Sequence, residues 1–305
     1  MNNTCPLCHS ELYSDYYKSP PNDMGANVVK CSSCGHLYTK LTKPVDVAAL
    51  YSDEVYKVVE NRRSIFDKIL TWEYAGILKR SRKFLSPPPP LTLLDFGGGK
   101  GKFGFLAQNN GWLVRCVETS PERAAYAKSV YGLQVSTEVF TEGRIFESRF
   151  KLISLLHVLE HLQDPISLLD ELTRANLEES GILLIEVPNI MSWQASLAGN
   201  QWMHLDMPRH ISHFSTKKLS DAMARLKFKP LRTSYFSFHL GVLGMVDALL
   251  KLLGYKKNII LELKRNENKL KLIPVIFMLP LAIVLEAMAS LLGKGGIVRM
   301  YLVKT

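Results

Sequence analysis

Beyond Leu91 the chain alternates short apolar runs with longer stretches whose apolar residues recur at helical spacing. The runs Leu91–Phe96, Leu113–Val117, Phe150–Leu156 and Ile182–Val187 have the length and composition of strands buried on both faces. The stretches Phe103–Asn109, Pro121–Tyr131 and Ile166–Leu177 between them read as helices. Strands separated by helices predict an α/β fold of βαβ units, its parallel sheet covered by helices on both faces. Ser215 stands where it caps a helix over Lys217–Leu226, Leu231–Phe238 reads as another strand, and Ile297–Val303 as a closing one.

Three segments depart from this rhythm. Residues 1–45 carry two cysteine pairs among polar and turn-forming residues. In the linker region 46–90, residues 58–85 are helical, with Ile65, Ile69, Trp72, Ile77 and Leu78 among basic residues, and Pro87–Pro90 is a short stiff spacer. Residues 239–295 hold two apolar stretches, Leu240–Leu253 and Leu272–Leu292, on either side of a basic one. The expected organisation is a module at 1–45, a linker at 46–90, a core at 91–238 with 296–305, and a helical insertion at 239–295.

With 305 residues, 47% of them apolar and 22% charged, the chain can bury a sizeable core, and no fixed-period repeat suggests a solenoid. The formal charge is +10, and half of it lies between Lys251 and Lys271, where seven basic residues face Glu262 and Glu267. So localised an excess is not the stripe of a nucleic-acid binder. The opening MNNTCPLCHS lacks a basic region followed by an apolar run, and five cysteines do not make a disulfide scaffold, so a cytoplasmic placement is expected.

Cys5-Pro-Leu-Cys8 and Cys31-Ser-Ser-Cys34-Gly35 have the spacing of two knuckles that turn four thiolates onto one structural zinc ion. Zinc stabilises a module too small to have its own core. Two redox-active dithiols are the alternative. Cys116, in the second strand, reads as a small buried residue.

Leu93-Leu94-Asp95-Phe96-Gly97-Gly98-Gly99-Lys100-Gly101 ends a strand and opens a helix, which puts the glycines at the carboxyl edge of the sheet, where open α/β folds bind ligands. The next strand ends at Glu118, 23 residues after Asp95, where a carboxylate can accept both hydroxyls of a ribose. This arrangement is similar to motif I of the class I S-adenosylmethionine-dependent methyltransferases. The resemblance implies that Asp95, Gly97, Gly98, Gly99 and Gly101 line the methionine part of the cofactor, that Glu118 holds its ribose, and that Leu156 and His157 complete the cofactor edge.

The segment Phe150–Pro165, with its His157-Val158-Leu159-Glu160-His161-Leu162, resembles the signature of the UbiG-like branch of that superfamily, as does Pro208-Arg209-His210-Ile211-Ser212-His213-Phe214-Ser215. These motifs cover about residues 91–238 and the final strand. They imply a Rossmann-like, seven-stranded, mostly parallel sheet whose last strand runs antiparallel between strands five and six, with the insertion emerging just before it.

For a hydroxyl acceptor a histidine is the natural base, here His161 with Glu160 as its orienter. Alternatively Glu160, His161 and His210 hold a divalent metal ion that activates the acceptor oxygen. Relatives with a Glu-x-x-Glu-His pattern use such a site, but His157 replaces the first glutamate here, and nitrogen suits softer ions than magnesium. In a third reading these residues only shape the cofactor pocket. Trp193, Trp202, His204, His210 and His213 in the connection from Pro188 to Phe214 would suit a flat aromatic acceptor.

Pro274, Pro280 and Glu286 interrupt the second apolar stretch of the insertion, whose charge-free run falls short of the roughly 20 residues of a span. Apolar segments around a basic linker fit an interfacial element on an anionic membrane surface, with a lid or a dimer interface as the alternative. The acceptor would then be lipid-linked, as for the quinone-pathway O-methyltransferases that this branch resembles, and the protein peripheral on the inner face of the membrane. The expected function is O-methylation of a small, lipid-linked or aromatic acceptor. The alternatives are sugar C-methylation, RNA methylation with the cysteine module as a docking element, and a non-catalytic cofactor-binding scaffold; nucleic acid is not the expected partner.

Overall fold

The computed structural model describes residues 4–18, 25–43, 65–85, 90–255 and 273–305. Residues 46–64, Pro87–Pro89 of the expected spacer and the basic stretch Lys256–Lys271 lie outside them. The amino-terminal part forms strands β1 (Tyr13–Tyr17), β2 (Ala26–Cys31) and β3 (Leu37–Leu41), paired antiparallel in that order. After helix α1 (Ile65–Phe84) come β4 (Leu91–Phe96), α2 (Lys102–Asn109), β5 (Trp112–Val117), α3 (Pro121–Tyr131), the short β6 (Val135–Ser136), β7 (Phe150–Leu156), α4 (Pro165–Asn176) and β8 (Leu177–Pro188). The chain continues through α5 (Trp193–Ala198), β9 (Ser212–His213), α6 (Thr216–Arg225), β10 (Phe228–Ser234), α7 (Leu243–Leu252), α8 (Ile273–Leu291) and β11 (Ile297–Lys304).

Seven strands form one sheet in the order β10-β11-β8-β7-β4-β5-β6. Six run in one direction, and β11 alone among the seven runs antiparallel to both its neighbours, the arrangement expected of the last strand. Leu93, Leu152, Ile153, Leu155 and Ile182–Ile185 are completely buried, because helices cover both faces and leave the central strands no solvent side. Helix starts follow local chemistry. Asp164 and Ser215 accept backbone N–H bonds from Ser167 and Lys218, and Pro121 and Pro165 occupy first turns where no N–H partner is needed.

Some elements differ from expectation. β10 begins at Phe228 and stops at Ser234, three to four residues earlier than expected at each end. Pro230 sits beside a register break on this edge strand, where a missing N–H is tolerated, and Ser237 Oγ accepts from Leu240 N (3.2 Å) to start a π-helical turn at Phe238. Trp72 points outward at 69% exposure while Glu73, Ile77 and Ser81 turn inward, because Glu73 answers a buried arginine described below. The two residues of β9 pair with β3, so the connection after β8 lends the amino-terminal sheet its fourth strand. Within the insertion α7 packs on α8 through Met245, Val246, Leu250 and Ala282.

Candidate functional site

The chain leaves β4 for β5 and β6 on one side and returns to β7 and β8 on the other, which opens a crevice at the carboxyl ends of β4 and β7. Gly97, Gly99 and Gly101 follow β4 with φ of 72°, 57° and 81°, a conformation that costs a side-chain-bearing residue about 1–2 kcal/mol. A methyl on Gly97 would strike Val158 Cγ2 at 2.4 Å, and one on Gly101 would strike Leu133 Cδ1 at 2.6 Å. One on Gly99 would meet nothing within 4 Å, so this glycine faces open space. Glu118 fixes the loop, accepting from Gly99 N on Oε2 and from Ser120 N on Oε1, each at 2.8 Å.

Asp95 lies buried under the loop. Its Oδ1 accepts from Ser154 Oγ (2.8 Å), while Oδ2 has no partner among the described residues. Burial, against the Ser154 hydroxyl, raises its carboxyl to about 6. An orphaned acceptor, a glycine facing open space and a carboxylate at the next strand end suit an adenosine-bearing cofactor with a charged methionine part.

Across the crevice His157 ends β7 with φ 57°, a strained position of the kind that clusters at functional sites. Its Nδ1 donates to Glu160 Oε1 (3.2 Å) and its Nε2 to Glu186 Oε1 (2.9 Å). Burial opposes the charged ring, but the two carboxylates outweigh it and hold its pKa at about 10. His157 is therefore a fixed cation at neutral pH. The network continues through Arg299 to Glu186 and to Glu73 Oε1 (2.9 Å), and from Glu73 Oε2 to His239 Nδ1 (2.7 Å). Glu186, Arg299, Glu73 and His239 escaped the sequence reading. The signal was there: Glu186 and Arg299 are the lone charges, of opposite sign, in the apolar runs Ile182–Val187 and Ile297–Val303, and they face each other across the β8–β11 ladder.

Glu160, His161 and His210 come together, with one ligand atom from each within 4.8 Å of the others. Glu160 orients His157 rather than His161; the Nδ1 of His161 instead donates to Arg209 O (3.1 Å). The Nδ1 of His210 donates to His204 O (2.8 Å), and Asp206 Oδ2 stands 3.8 Å from its Nε2. With its Nδ1–H on a carbonyl, a neutral His161 presents Nε2 as the lone-pair nitrogen. Burial, with His210 close by, lowers His161 to about 4 and keeps it neutral. Burial would raise Glu160, but the His157 bond outweighs it and brings the carboxyl to about 2, while its Oε2 has no partner among the described residues.

Trp193 packs against the insertion's apolar cluster, and Trp202, His204 and His213 are tied by hydrogen bonds. Trp202 is buried and donates to Gln194 Oε1 (3.1 Å), His204 donates to Leu240 O (3.4 Å), and His213 pairs with Thr39 on β3 (2.9 Å). Thr39 Oγ1 also donates to His210 O (2.6 Å), Thr39 N to Ile211 O (2.8 Å), and Ile211 N to Glu160 O (2.8 Å). The amino-terminal sheet therefore backs the histidine cluster directly. Away from the crevice, Cys5, Cys8, Cys31 and Cys34 are free thiols within 4.8 Å of one another. Cys5–Cys34 and Cys8–Cys31 Sγ separations of 3.6 and 3.5 Å fit tetrahedral zinc with Zn–S bonds of about 2.3 Å. Cys116 is buried, and burial pushes its thiol far up, as expected of a packing residue.

The profile of a methyltransferase domain matches residues 71–233. Among solved structures, the [4+2]-cyclase SpnF shares 12% identity over 80% of this chain and 84% of its own, with a TM-score of 0.50, which supports the fold alone. The plantazolicin methyltransferase BpumL in complex with SAH shares 14% identity over 84% of this chain and 93% of its own, with a TM-score of 0.48. A SAM-dependent methyltransferase from Archaeoglobus fulgidus shares 17% identity over 75% of this chain and 93% of its own, with a TM-score of 0.46. No curated protein matches in sequence. With the profile spanning more than half its length, the chain belongs to the methyltransferase-domain family.

Proposed function

We propose that the enzyme methylates an oxygen of a small, lipid-linked or aromatic acceptor placed over Glu160, His161 and His210. Asp95, Gly97, Gly98, Gly99, Gly101, Glu118 and the Leu156–His157 strand end would hold the cofactor. Bound S-adenosylmethionine supplies an electrophilic methyl group on a sulfonium sulfur. The observation that carries the reading is the fixed tautomer of His161. With Nδ1–H on a backbone carbonyl and the ring kept neutral, Nε2 is free of a proton and can take one from an acceptor hydroxyl. His157, locked between two carboxylates, holds Glu160 in place and moves no proton.

The unpartnered Oε2 of Glu160 favours a second reading, in which Glu160, His161 and His210 hold a divalent cation against the acceptor oxygen. Cys5, Cys8, Cys31 and Cys34 would hold a structural zinc ion in either case. A lipid-linked acceptor would place the enzyme peripherally on the inner face of the membrane.

Mass spectrometry of lipid extracts from cells lacking the protein tests the acceptor class: a species lighter by one methylene is expected. Unchanged extracts alongside an altered water-soluble metabolite would reject the lipid-linked acceptor. Calorimetric titration with SAH tests the cofactor site. Transfer activity that survives strict chelation and disappears in His161→Ala supports the base, whereas loss on chelation with recovery on adding manganese supports the cation.

A further inference from the structure

Apart from Glu286 and Ser290, helix α8 is apolar around its circumference, but the protein covers only one side of it. Ala282, Glu286 and Ala289 face the domain and are completely buried. Ile276, Phe277, Leu281, Val284, Met288 and Leu291 recur at helical spacing on the opposite side, with Phe277 76% and Leu291 89% exposed. Leu252 and Leu253, where α7 ends, are exposed as well. Soluble monomers rarely present so continuous an apolar stripe without a partner. In sequence, the 17 residues that join Tyr255, just after α7, to Ile273 at the start of α8 carry six lysines and arginines against two glutamates.

We propose that the exposed face of α8, with the end of α7, is a docking surface for an anionic membrane, and that α8 lies in the plane of the interface instead of crossing the bilayer. The length and hydropathy of Ile273–Leu291 would permit a span. Glu286 argues against it. Its Oε1 accepts from Gly296 N (2.7 Å) and its Oε2 from Gln194 Nε2 (3.3 Å), with no solvent exposure. Crossing the membrane would break both bonds and carry the carboxyl group into hydrocarbon. Charge favours a membrane over a second copy as the occupant, since the excess of basic residues in the sequence joining α7 to α8 repels its own copy, whereas anionic headgroups neutralise it.

The inference rests on the lipid-linked acceptor proposed above and deepens it, because the insertion is bonded to the segment that carries His210. Gln194 Nε2 donates to Gly241 O (3.1 Å), His204 Nε2 to Leu240 O (3.4 Å), and His210 Nδ1 to His204 O (2.8 Å). An acceptor held in the headgroup layer would meet the protein beside the elements that build its site.

The test is flotation of the full chain with phosphatidylcholine vesicles, with and without phosphatidylglycerol, with SAH calorimetry run in parallel. The protein should float with anionic vesicles at about 0.1 M salt, and partitioning should fall roughly tenfold or more without the anionic lipid or at about 0.5 M salt. Phe277→Glu with Val284→Glu should abolish flotation and leave SAH affinity unchanged. Should that variant misfold, Lys264→Glu with Arg265→Glu leaves the helix intact and should weaken anionic binding roughly tenfold. Three results overturn the proposal: no flotation at low salt, retention in membranes through high-pH extraction, or a lipid-free dimer that the Phe277 variant dissociates without any vesicle binding. Flotation without SAH binding would remove the cofactor reading and keep the docking surface; SAH binding without flotation would remove the docking surface alone.

Discussion

Thr39→Val keeps the shape of a side chain and deletes the hydroxyl that joins the cysteine module to the histidine cluster. That hydroxyl donates to His210 O at 2.6 Å and accepts from His213 Nε2 at 2.9 Å, in a region closed to water. Valine leaves a carbonyl and a ring N–H without partners. Each orphaned buried group costs about 1–3 kcal/mol, about 2–6 kcal/mol for the two, and after partial relaxation the variant should lose about 2–4 kcal/mol. Thr39 N still donates to Ile211 O, so the β3–β9 pairing persists. Urea unfolding at constant zinc reads the loss, and Thr39→Ser, which keeps the hydroxyl, should recover most of it. SAH affinity should not move, because Thr39 touches neither the glycine loop nor Glu118, whereas turnover should fall as His210 loses its backing. A loss below about 0.5 kcal/mol, or a serine variant as damaged as the valine one, would refute the coupling.

Glu118→Ala removes a charged acceptor worth about 1.5–3 kcal/mol and should weaken SAH binding roughly 10- to 150-fold by calorimetry; a change within about twofold rejects the ribose assignment. Gly97→Ala should destabilise by about 2–5 kcal/mol, because strained φ adds to the collision with Val158, while Gly99→Ala should cost only about 1–2 kcal/mol yet impair cofactor binding. The opposite order in denaturant would overturn this account of the loop. Burial raises Glu286 to about 7 despite the Gly296 and Gln194 bonds. The folded state therefore holds this proton more tightly than the unfolded state, and stability from the group is lost as pH rises from about 4.5 through 7. The stability of Glu286→Gln relative to wild type should thus climb by roughly 3 kcal/mol across that window, and a flat difference would contradict the burial argument.

Much of the catalytic sheet was legible because each central strand is buried on both faces and its apolar run says so. The glycine loop and Glu118 were legible because backbone geometry at a strand end restricts residue type. The pairings were not. Glu160 was expected to orient His161 and instead holds His157, since the turn after β7 is a single 3₁₀ turn, Leu159–His161, and Glu186 pulls the other ring nitrogen. Trp72 read as part of an apolar stripe, but α1 is rotated to bring Glu73 to Arg299, a partner 226 residues away that no local pattern reveals. The strand β9 is two residues long, too short for any periodicity, and exists because β3 offers it an edge.

The ladder between β10 and β11 brings Ser234 opposite Arg299, so everything between them enters and leaves the sheet through neighbouring strands. Lengthening or replacing such a loop changes its closure entropy only logarithmically. The catalytic chassis can therefore keep its strand order while this cassette is exchanged. Where the enzyme works and which acceptor reaches it can diverge among relatives without any change to the residues proposed to hold the methyl donor.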